Sequence, residues 1–447
     1  MKGYFRSIIR QKIADGQSAP VPDFTRRDIT LPRIPHKALA IVGMRRSGKT
    51  TFLWQILADY LKEGVDRNSV LYFNFEDDRL AGMELDDLDV LVEEFYRIYP
   101  QGRSGTRSVF FLDEVQVVSG WERFVRRLLD TEMLDIFLSG SSARLLSREV
   151  ATSMRGRAME VRVFPFSFRE YLRHQDKEPA ALPERWNKAD RTMVERSLRE
   201  YLLQGGFPET VGAARPERME LLRSYVDVAL LRDVIERYAV SHPVALRWMV
   251  RQLLGNAAGS FSVNKFYGDL KSQGFSVGKD TLHEYLGYLE DAFLLKTVSI
   301  ATDSERRRMV NPRKVYPIDP GLIALYDRSG KSNTGHALET AVFLELERRG
   351  ADIRYVRTSE GYEVDFFVLD VAGSKELVQV CADLDDPVVR DREIRALHKA
   401  AAEYPGAKLC VITLESVPRI TFPKDIVVVT ASHWFLSRKD DTFSPMR

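Results

Sequence analysis

Residues 43–54 read GMRRSGKTTFLW, and Gly43 through Thr50 fit the pattern G-x-x-x-x-G-K-[ST] without deviation. The apolar run ALAIVG at 38–43 precedes the loop and the helical pattern TTFLWQILADYLKEG follows it, which is the context the pattern requires. The residue types follow from the chemistry. Glycines let the backbone bend so that its N–H groups face phosphates, and the helix N-terminus adds positive potential. Lys49 is expected to reach the β/γ-phosphates, and the Thr50 hydroxyl to ligate Mg²⁺. Gly43, Arg45, Arg46, Ser47, Gly48, Lys49, Thr50 and Thr51 are then the candidate lining of a nucleotide site, with ATP and Mg²⁺ as its cofactors.

A second signal lies downstream. VFFLDE at 109–114 is an apolar strand that ends in two acids. Asp113 is expected to hold Mg²⁺ and Glu114 to polarise an attacking water; the plainer alternative is a pair of surface acids at a strand end. A protein that only binds nucleotide has no need of the second acid, so the pair points to hydrolysis. IFLSGSS at 136–142 ends in small polar groups. In ATPases with a catalytic glutamate a strand of this kind lies between the P-loop and acidic strands, with its polar tip at the γ-phosphate. Ser139 or Ser141 is the candidate for that contact, against a serine that simply caps a strand-to-helix turn. Arg155 and Arg157, in SMRGRAMEV, precede the next apolar run. Arg157 is the candidate catalytic guanidinium, offered in cis or by a neighbouring subunit, against an edge arginine in a salt bridge.

Working outward, SVLYFNFE at 69–76 and MEVRVFPF at 159–166 join the runs already named, with helical patterns between them. Continuous apolar runs separated by helices predict a parallel sheet covered on both faces. The fold class is α/β: a P-loop NTPase sheet over 38–172, preceded at 1–37 by a short amphipathic helix and a lead-in bearing four prolines. Over 173–326 the period is helical. Helices at 263–272 and 279–291, joined by a Gly-containing turn, read as a helix-turn-helix. Strands at 294–300 and 314–318 would flank the basic stretch SERRRMVNPRK as a wing. Residues 327–447 read as a small mixed α/β domain.

Bulk properties narrow the classes. The 447 residues carry a net charge of +2, so no global field drives the chain onto nucleic acid or membrane, and such binding needs a local patch. Two cysteines, Cys381 and Cys410, both sit in apolar runs. That excludes a disulfide framework and a cysteine-rich zinc site. No apolar run approaches the roughly 20 residues of a membrane helix, and the N-terminus lacks a signal-peptide pattern. The cytoplasm and no membrane partner are the expectation.

Taken together, GMRRSGKTTFL, FNFED, FLDEVQ, LSGSS, the GR before VFPFSFREYL, LLRDVIERY, KVYPIDPGL and GYEVDFFV resemble a family of predicted bacterial and archaeal AAA-superfamily ATPases. These carry an N-terminal P-loop domain and a C-terminal domain of unknown function. The resemblance implies ATP hydrolysis, a winged-helix segment and a C-terminal restriction-endonuclease-like fold, and it implies no particular substrate. Nucleases of that fold place an acid at one strand end and [DE]-x-K on the next strand. Here Glu339 and Asp365 match the early acids, but Gln379 and Cys381 stand where the second acid and the lysine belong. An amide is a weak Mg²⁺ ligand, and cysteine cannot balance developing negative charge. The scaffold is expected to remain without the nuclease chemistry.

The leading reading is an ATP hydrolase whose energy moves a winged-helix and nuclease-like module acting on double-stranded DNA through residues 261–315. Arg306, Arg307, Arg308, Arg313 and Lys314 would supply phosphate contacts there, unless they form a solvated charged turn. The exposed face of the second helix would present Lys279, Thr281, His283 and Glu284. The alternative is a nucleotide-dependent regulator that binds a protein partner and makes no DNA contact. Assembly into a homo-oligomer accompanies either reading.

Overall fold

The computed structural model describes residues 2–32, 34–103, 107–140, 154–327, 333–414 and 422–437. The chain divides into two compact units, Met1–Phe164 and Pro165–Arg447. Ser141 lies outside the described residues, as does most of the turn expected at 327–335.

The first unit has five parallel strands: β1 (Ala38–Val42), β2 (Val70–Asn74), β3 (Ser108–Asp113), β4 (Leu134–Ser139) and β5 (Ala158–Arg162). They lie in the order β2-β3-β4-β1-β5. Every residue of β1 and β3 is buried, which is why these segments read as unbroken apolar runs. Among the described residues, helices α1 (Lys2–Ser18), α2 (Lys49–Lys62), α3 (Leu88–Ile98) and α4 (Trp121–Thr131) accompany the sheet. This is the P-loop NTPase sheet anticipated from the sequence.

The N-terminal segment is part of this unit rather than an appendage. Phe5, Ile9 and Ile13 recur one helical turn apart and are all buried, with α1 packed on β2 and α3. From the same helix Arg6 and Arg10 reach the wholly buried Glu94 at 2.6 and 2.9 Å. A carboxylate removed from water needs such partners to remain ionised.

The second unit begins at Pro165, ahead of the boundary expected at 172. Helix α5 (Phe168–His174) belongs to it because the rings of Phe168 and Tyr171 pack on Tyr201 at 5.6 and 5.3 Å. Helices α6 (Lys188–Gln204), α7 (Arg215–Val228) and α8 (Pro243–Gly255) follow. Next come α9 (Val263–Ser272) and α10 (Lys279–Asp291), at the spans read from the sequence, beside an antiparallel sheet ordered β6-β8-β7. Its strands are β6 (Ser260–Phe261), β7 (Leu295–Val298) and β8 (Arg313–Pro317). The basic stretch between β7 and β8 is not an extended wing tip. It forms a short helix, α11 (Glu305–Val310), capped by the Ser304 side chain.

The C-terminal sheet is mixed, in the order β13-β12-β11-β10-β9. It comprises β9 (Asp352–Arg357), β10 (Glu363–Leu369), β11 (Lys375–Cys381), β12 (Lys408–Thr413) and β13 (Ile426–Thr430). Helices α12 (Thr334–Arg348) and α13 (Pro387–Glu403) pack against it. The segments read as separate at 173–326 and 327–447 fall within one compact unit. Backbone pairing joins them: Ile300 bridges Tyr355, and Ala301 N–H donates to the Tyr355 carbonyl at 2.7 Å.

Candidate functional site

The glycine-rich loop leaves β1 at Val42 and enters α2 at Lys49. A Cβ on Gly43 would collide with the Val163 carbonyl oxygen and lie 3.1 Å from Ser47 Oγ, so only glycine fits this turn. Gly48 caps α2 in the left-handed conformation, at φ 95°, which glycine adopts without steric cost. Arg46 is also left-handed, at φ 66°, where a side chain stores backbone strain of about 1–3 kcal/mol. Lys49 is buried, with Nζ 3.1 and 3.0 Å from the carbonyls of Gly43 and Met44. Thr50 and Thr51 are exposed at the first turn of α2, and Arg45 and Arg46 lie at the loop surface. Ser47 Oγ is buried beneath the loop with no hydrogen-bond partner among the described residues.

The acids converge on this loop from β3. Asp113 is buried, and its carboxylate accepts hydrogen bonds from the hydroxyls of Tyr72, at 2.7 Å, and Ser139, with Thr50 beside it. Burial raises its pKa, and those hydrogen bonds oppose the rise. Ser139 Oγ also accepts from the Glu114 N–H at 3.3 Å. One hydroxyl at the end of β4 therefore spans both acids, and β4 is the strand between β1 and β3. Glu114 sits at φ 55°, and Gln116 Nε2 donates to its Oε2. Thr50 and Asp113 present adjacent oxygen donors, the set a hard divalent cation takes.

Arg157 is not brought to this loop within its own chain. Parallel pairing sets Ala38 beside Ala158, and Ala38 N–H donates to the Arg157 carbonyl at 2.9 Å. Arg157 thus stands where β1 begins, while the loop follows the other end of β1. Its guanidinium pairs with Asp130. Of the two expected routes, in cis or from a neighbouring subunit, the first is not made within this chain: linear order concealed which end of the strand the residue occupies. Arg155 lies at φ 49° in the turn before β5.

Three supporting residues escaped the sequence reading. Tyr72 anchors Asp113, and its ring lies on Trp54 of α2 at 4.5 Å; a hydroxyl-bearing residue in an otherwise apolar run was the available signal. Gln116 holds Glu114. Arg27, from the proline-bearing lead-in, donates to the carbonyls of Ser47, at 3.1 Å, and Phe164. Its own backbone is fixed to Gln55 of α2 through Arg27 N–H, 2.7 Å from Oε1, and Gln55 Nε2, 3.1 Å from the Arg27 carbonyl. Nothing in its sequence neighbourhood announces that role.

A second candidate region surrounds α10. Lys279, His283 and Glu284 are exposed, and Thr281 is half-buried. Burial lowers the His283 pKa, and the nearby cations Lys279 and Arg313 lower it further, so positive charge gathers at this face. Arg306 and Arg307 are exposed on α11, whereas Arg308 bonds Glu305 at 2.6 Å and the Thr302 carbonyl at 2.9 Å. Lys314 is a correction. Its place in a cationic run predicts a surface side chain, but that side chain is only 4% exposed and turns inward.

There it meets the acids singled out in the C-terminal fold. Lys314 Nζ lies 2.8 Å from Asp365 Oδ1, 3.0 Å from Glu363 Oε1 and 3.1 Å from Glu339 Oε1. Burial works against the ammonium, yet Asp365, Glu339 and Glu363 hold its pKa well above the usual value. Burial, followed by Asp365, pushes Glu339 up to about 8. Gln379 accepts from the Asp365 N–H at 3.2 Å and donates to Glu393 at 2.7 Å. The Cys381 thiol donates to the Asp383 carbonyl at 3.0 Å, and burial raises its pKa to about 11.

A family profile described as "AAA domain" matches residues 35–172, and one described as "Domain of unknown function (DUF8612)" matches residues 195–332. The chain is 34% identical over 401 residues to the "Uncharacterized protein MJ1544" of Methanocaldococcus jannaschii, spanning 89% of this chain and 85% of that protein. It is 30% identical over 328 residues to an uncharacterised protein of Haemophilus influenzae, spanning 73% of this chain and 78% of that one. Among solved structures, the Walker-type ATPase PABY2304 of Pyrococcus abyssi is similar over 72% of this chain and 95% of that chain, with TM-score 0.42 and 14% identity.

Proposed function

We propose that this chain, which belongs to the family of AAA-superfamily ATPases that includes these archaeal and bacterial relatives, hydrolyses Mg²⁺·ATP and uses the cycle to act on DNA. The observation that carries the first half is the Ser139 hydroxyl, which ties Asp113 to the backbone of Glu114 beside the glycine-rich loop. Loop N–H groups and Lys49 would bind the phosphates, with Gly43, Arg45, Arg46, Ser47, Gly48 and Thr51 shaping the cradle. Bound Mg²⁺ would neutralise charge developing on the transferred phosphoryl group, and Thr50 and Asp113 would hold it. Glu114 would orient water and accept its proton, with Gln116 fixing the carboxylate. Arg157 would serve only a neighbouring subunit's nucleotide, which makes its role depend on a homo-oligomer.

The second half rests on the cations Lys279 and Arg313 about α10 and Arg306 and Arg307 on α11, with α9 and α10 read as the helix-turn-helix of a winged helix. The C-terminal sheet would be a scaffold without nuclease chemistry, given Gln379 and Cys381. One observation favours a protein-docking regulator instead: Met309 and Val310, beside the arginines of α11, are 78% and 64% exposed, more apolar surface than phosphate contact requires. The test is ATP turnover of the parent and of Glu114→Gln, with and without duplex DNA, alongside nucleotide binding. Glu114→Gln is expected to retain Mg²⁺·ATP and lose most turnover, and duplex is expected to change the parent's rate. Unchanged turnover in the variant would remove Glu114 as the base. A DNA-insensitive rate would favour the protein-docking reading.

A further inference from the structure

Glu339 and Asp365 converge on one point inside the C-terminal fold, and both are buried. An ionised carboxylate so placed requires a cation, and here the cation comes from another sheet. We propose that the Lys314 ammonium is a built-in substitute for a divalent metal ion, filling the acid pocket and fastening β8 to it. This inference does not rest on the ATPase reading.

The valences support it. An ammonium has three donors; Lys314 donates to Glu339 Oε1 at 3.1 Å and Asp365 Oδ1 at 2.8 Å, and Glu363 Oε1 adds an ion pair at 3.0 Å. The remaining contacts are also satisfied: Tyr316 hydroxyl donates to Glu339 at 2.8 Å, and Val380 N–H donates to Asp365 Oδ2 at 3.0 Å. Oxygen ligands hold Mg²⁺ or Ca²⁺ at about 2.0–2.6 Å, so a metal ion drawing on these oxygens would overlap the ammonium. The two occupants exclude each other. Glu363, whose side chain is 44% exposed, marks the mouth through which an ion would enter.

The tether also has a mechanical side. Lys314 is central in the β6-β8-β7 sheet, pairing with Ser260 on one side and Val298 on the other. Its side chain reaches α12 and β10, so the strand that closes the α11 segment is pinned to the acid pocket. Withdrawing β8 would open the two buried carboxyl groups to solvent ions.

The experiment compares the full-length parent, Lys314→Met, and the triple variant Lys314→Met/Glu339→Gln/Asp365→Asn, all without nucleotide. Mn²⁺ alone is the probe, followed by electron paramagnetic resonance and thermal unfolding. Lys314→Met should bind one Mn²⁺ per chain more than the parent, and Mn²⁺ should raise its Tm. The parent and the triple variant should show neither effect. If Lys314→Met folds only with Mn²⁺, the proposal is also supported; if it fails with Mn²⁺ while the triple variant folds, the proposal is overturned. Two further results overturn it: Lys314→Met that folds and binds no additional Mn²⁺, or a parent that binds Mn²⁺ in a manner abolished by Glu339→Gln.

Discussion

Replacing Tyr72 with phenylalanine removes one oxygen and leaves the ring on Trp54. That oxygen donates to Asp113 Oδ2 at 2.7 Å, in a setting where the carboxylate is fully buried. A hydrogen bond to a charged group contributes about 1.5–3 kcal/mol, and the ring packing supplies no offsetting change. Ser139 still holds Asp113, so the carboxylate stays in place but loses one of its two hydroxyl donors. Taking ~2 kcal/mol, and tenfold per 1.4 kcal/mol, the Mg²⁺ concentration for half-maximal ATP turnover should rise by up to about 30-fold. The assay is a Mg²⁺ titration of turnover at saturating ATP, with Tm measured in parallel. Expected is a right-shifted curve with a maximum close to the parent's and a Tm lower by a few degrees. A Tyr72→Phe curve superimposable on the parent's would refute the reasoning, leaving Ser139 as sufficient to orient Asp113.

Lys49→Ala should abolish tight ATP binding in a fluorescent-nucleotide titration, since the phosphates lose their buried counter-charge; parental affinity would end the P-loop assignment. Replacing Arg306, Arg307 and Arg308 together should weaken duplex binding for every sequence. It should also flatten the salt dependence by about 0.9 for each phosphate that is no longer neutralised; equal slopes would take α11 off DNA. Mg²⁺ and Mn²⁺ should support no DNA cleavage through the C-terminal sheet, and cleavage that disappears in Asp365→Ala would contradict this. Burial pushes the Asp319 carboxyl up to about 6, although it accepts from Gly206 N–H at 2.6 Å and Gly321 N–H at 2.8 Å. Its folded-state pKa exceeds the ordinary 3.8, so its contribution to stability is complete below about pH 4 and is lost as pH rises towards 6. At 1.36 kcal/mol per pKa unit that is about 3 kcal/mol. The Tm gap between parent and Asp319→Asn should narrow over this window, and a constant gap would argue that Asp319 does not titrate there.

Local signals carried the sequence reading far. The glycine spacing at 43–50 announces a strand-loop-helix, and helices at 263–272 and 279–291 follow from their apolar period and the turn between them. What stayed hidden depends on what lies across space. Lys314 belongs by sequence to a cationic run, and only the pairing of β8 with β6 and β7 turns it towards Asp365. Arg157 looks adjacent to the machinery because β5 flanks β1, yet parallel register puts it at the far edge. Arg27 acts at long range on two backbone carbonyls, and backbone acceptors leave no trace in residue identity.

The boundaries of the AAA profile, 35–172, enclose the phosphate loop and both acids, but they exclude α1 and Arg27. A fragment cut there would keep the candidate site and lose its fasteners. Glu94 would be left with Arg97 at 3.7 Å in place of its closer arginines, and breaking a buried ion pair costs about 3–5 kcal/mol. The surfaces of β2 and α3 that cover Phe5, Ile9 and Ile13 would be laid bare. The carbonyls of Ser47 and Phe164, at the two ends of the loop's support, would lose their shared guanidinium. The stretch matched by the AAA profile is therefore shorter than the stretch whose packing supports the loop, and weak nucleotide binding by the shorter one would measure missing scaffold rather than a defective site.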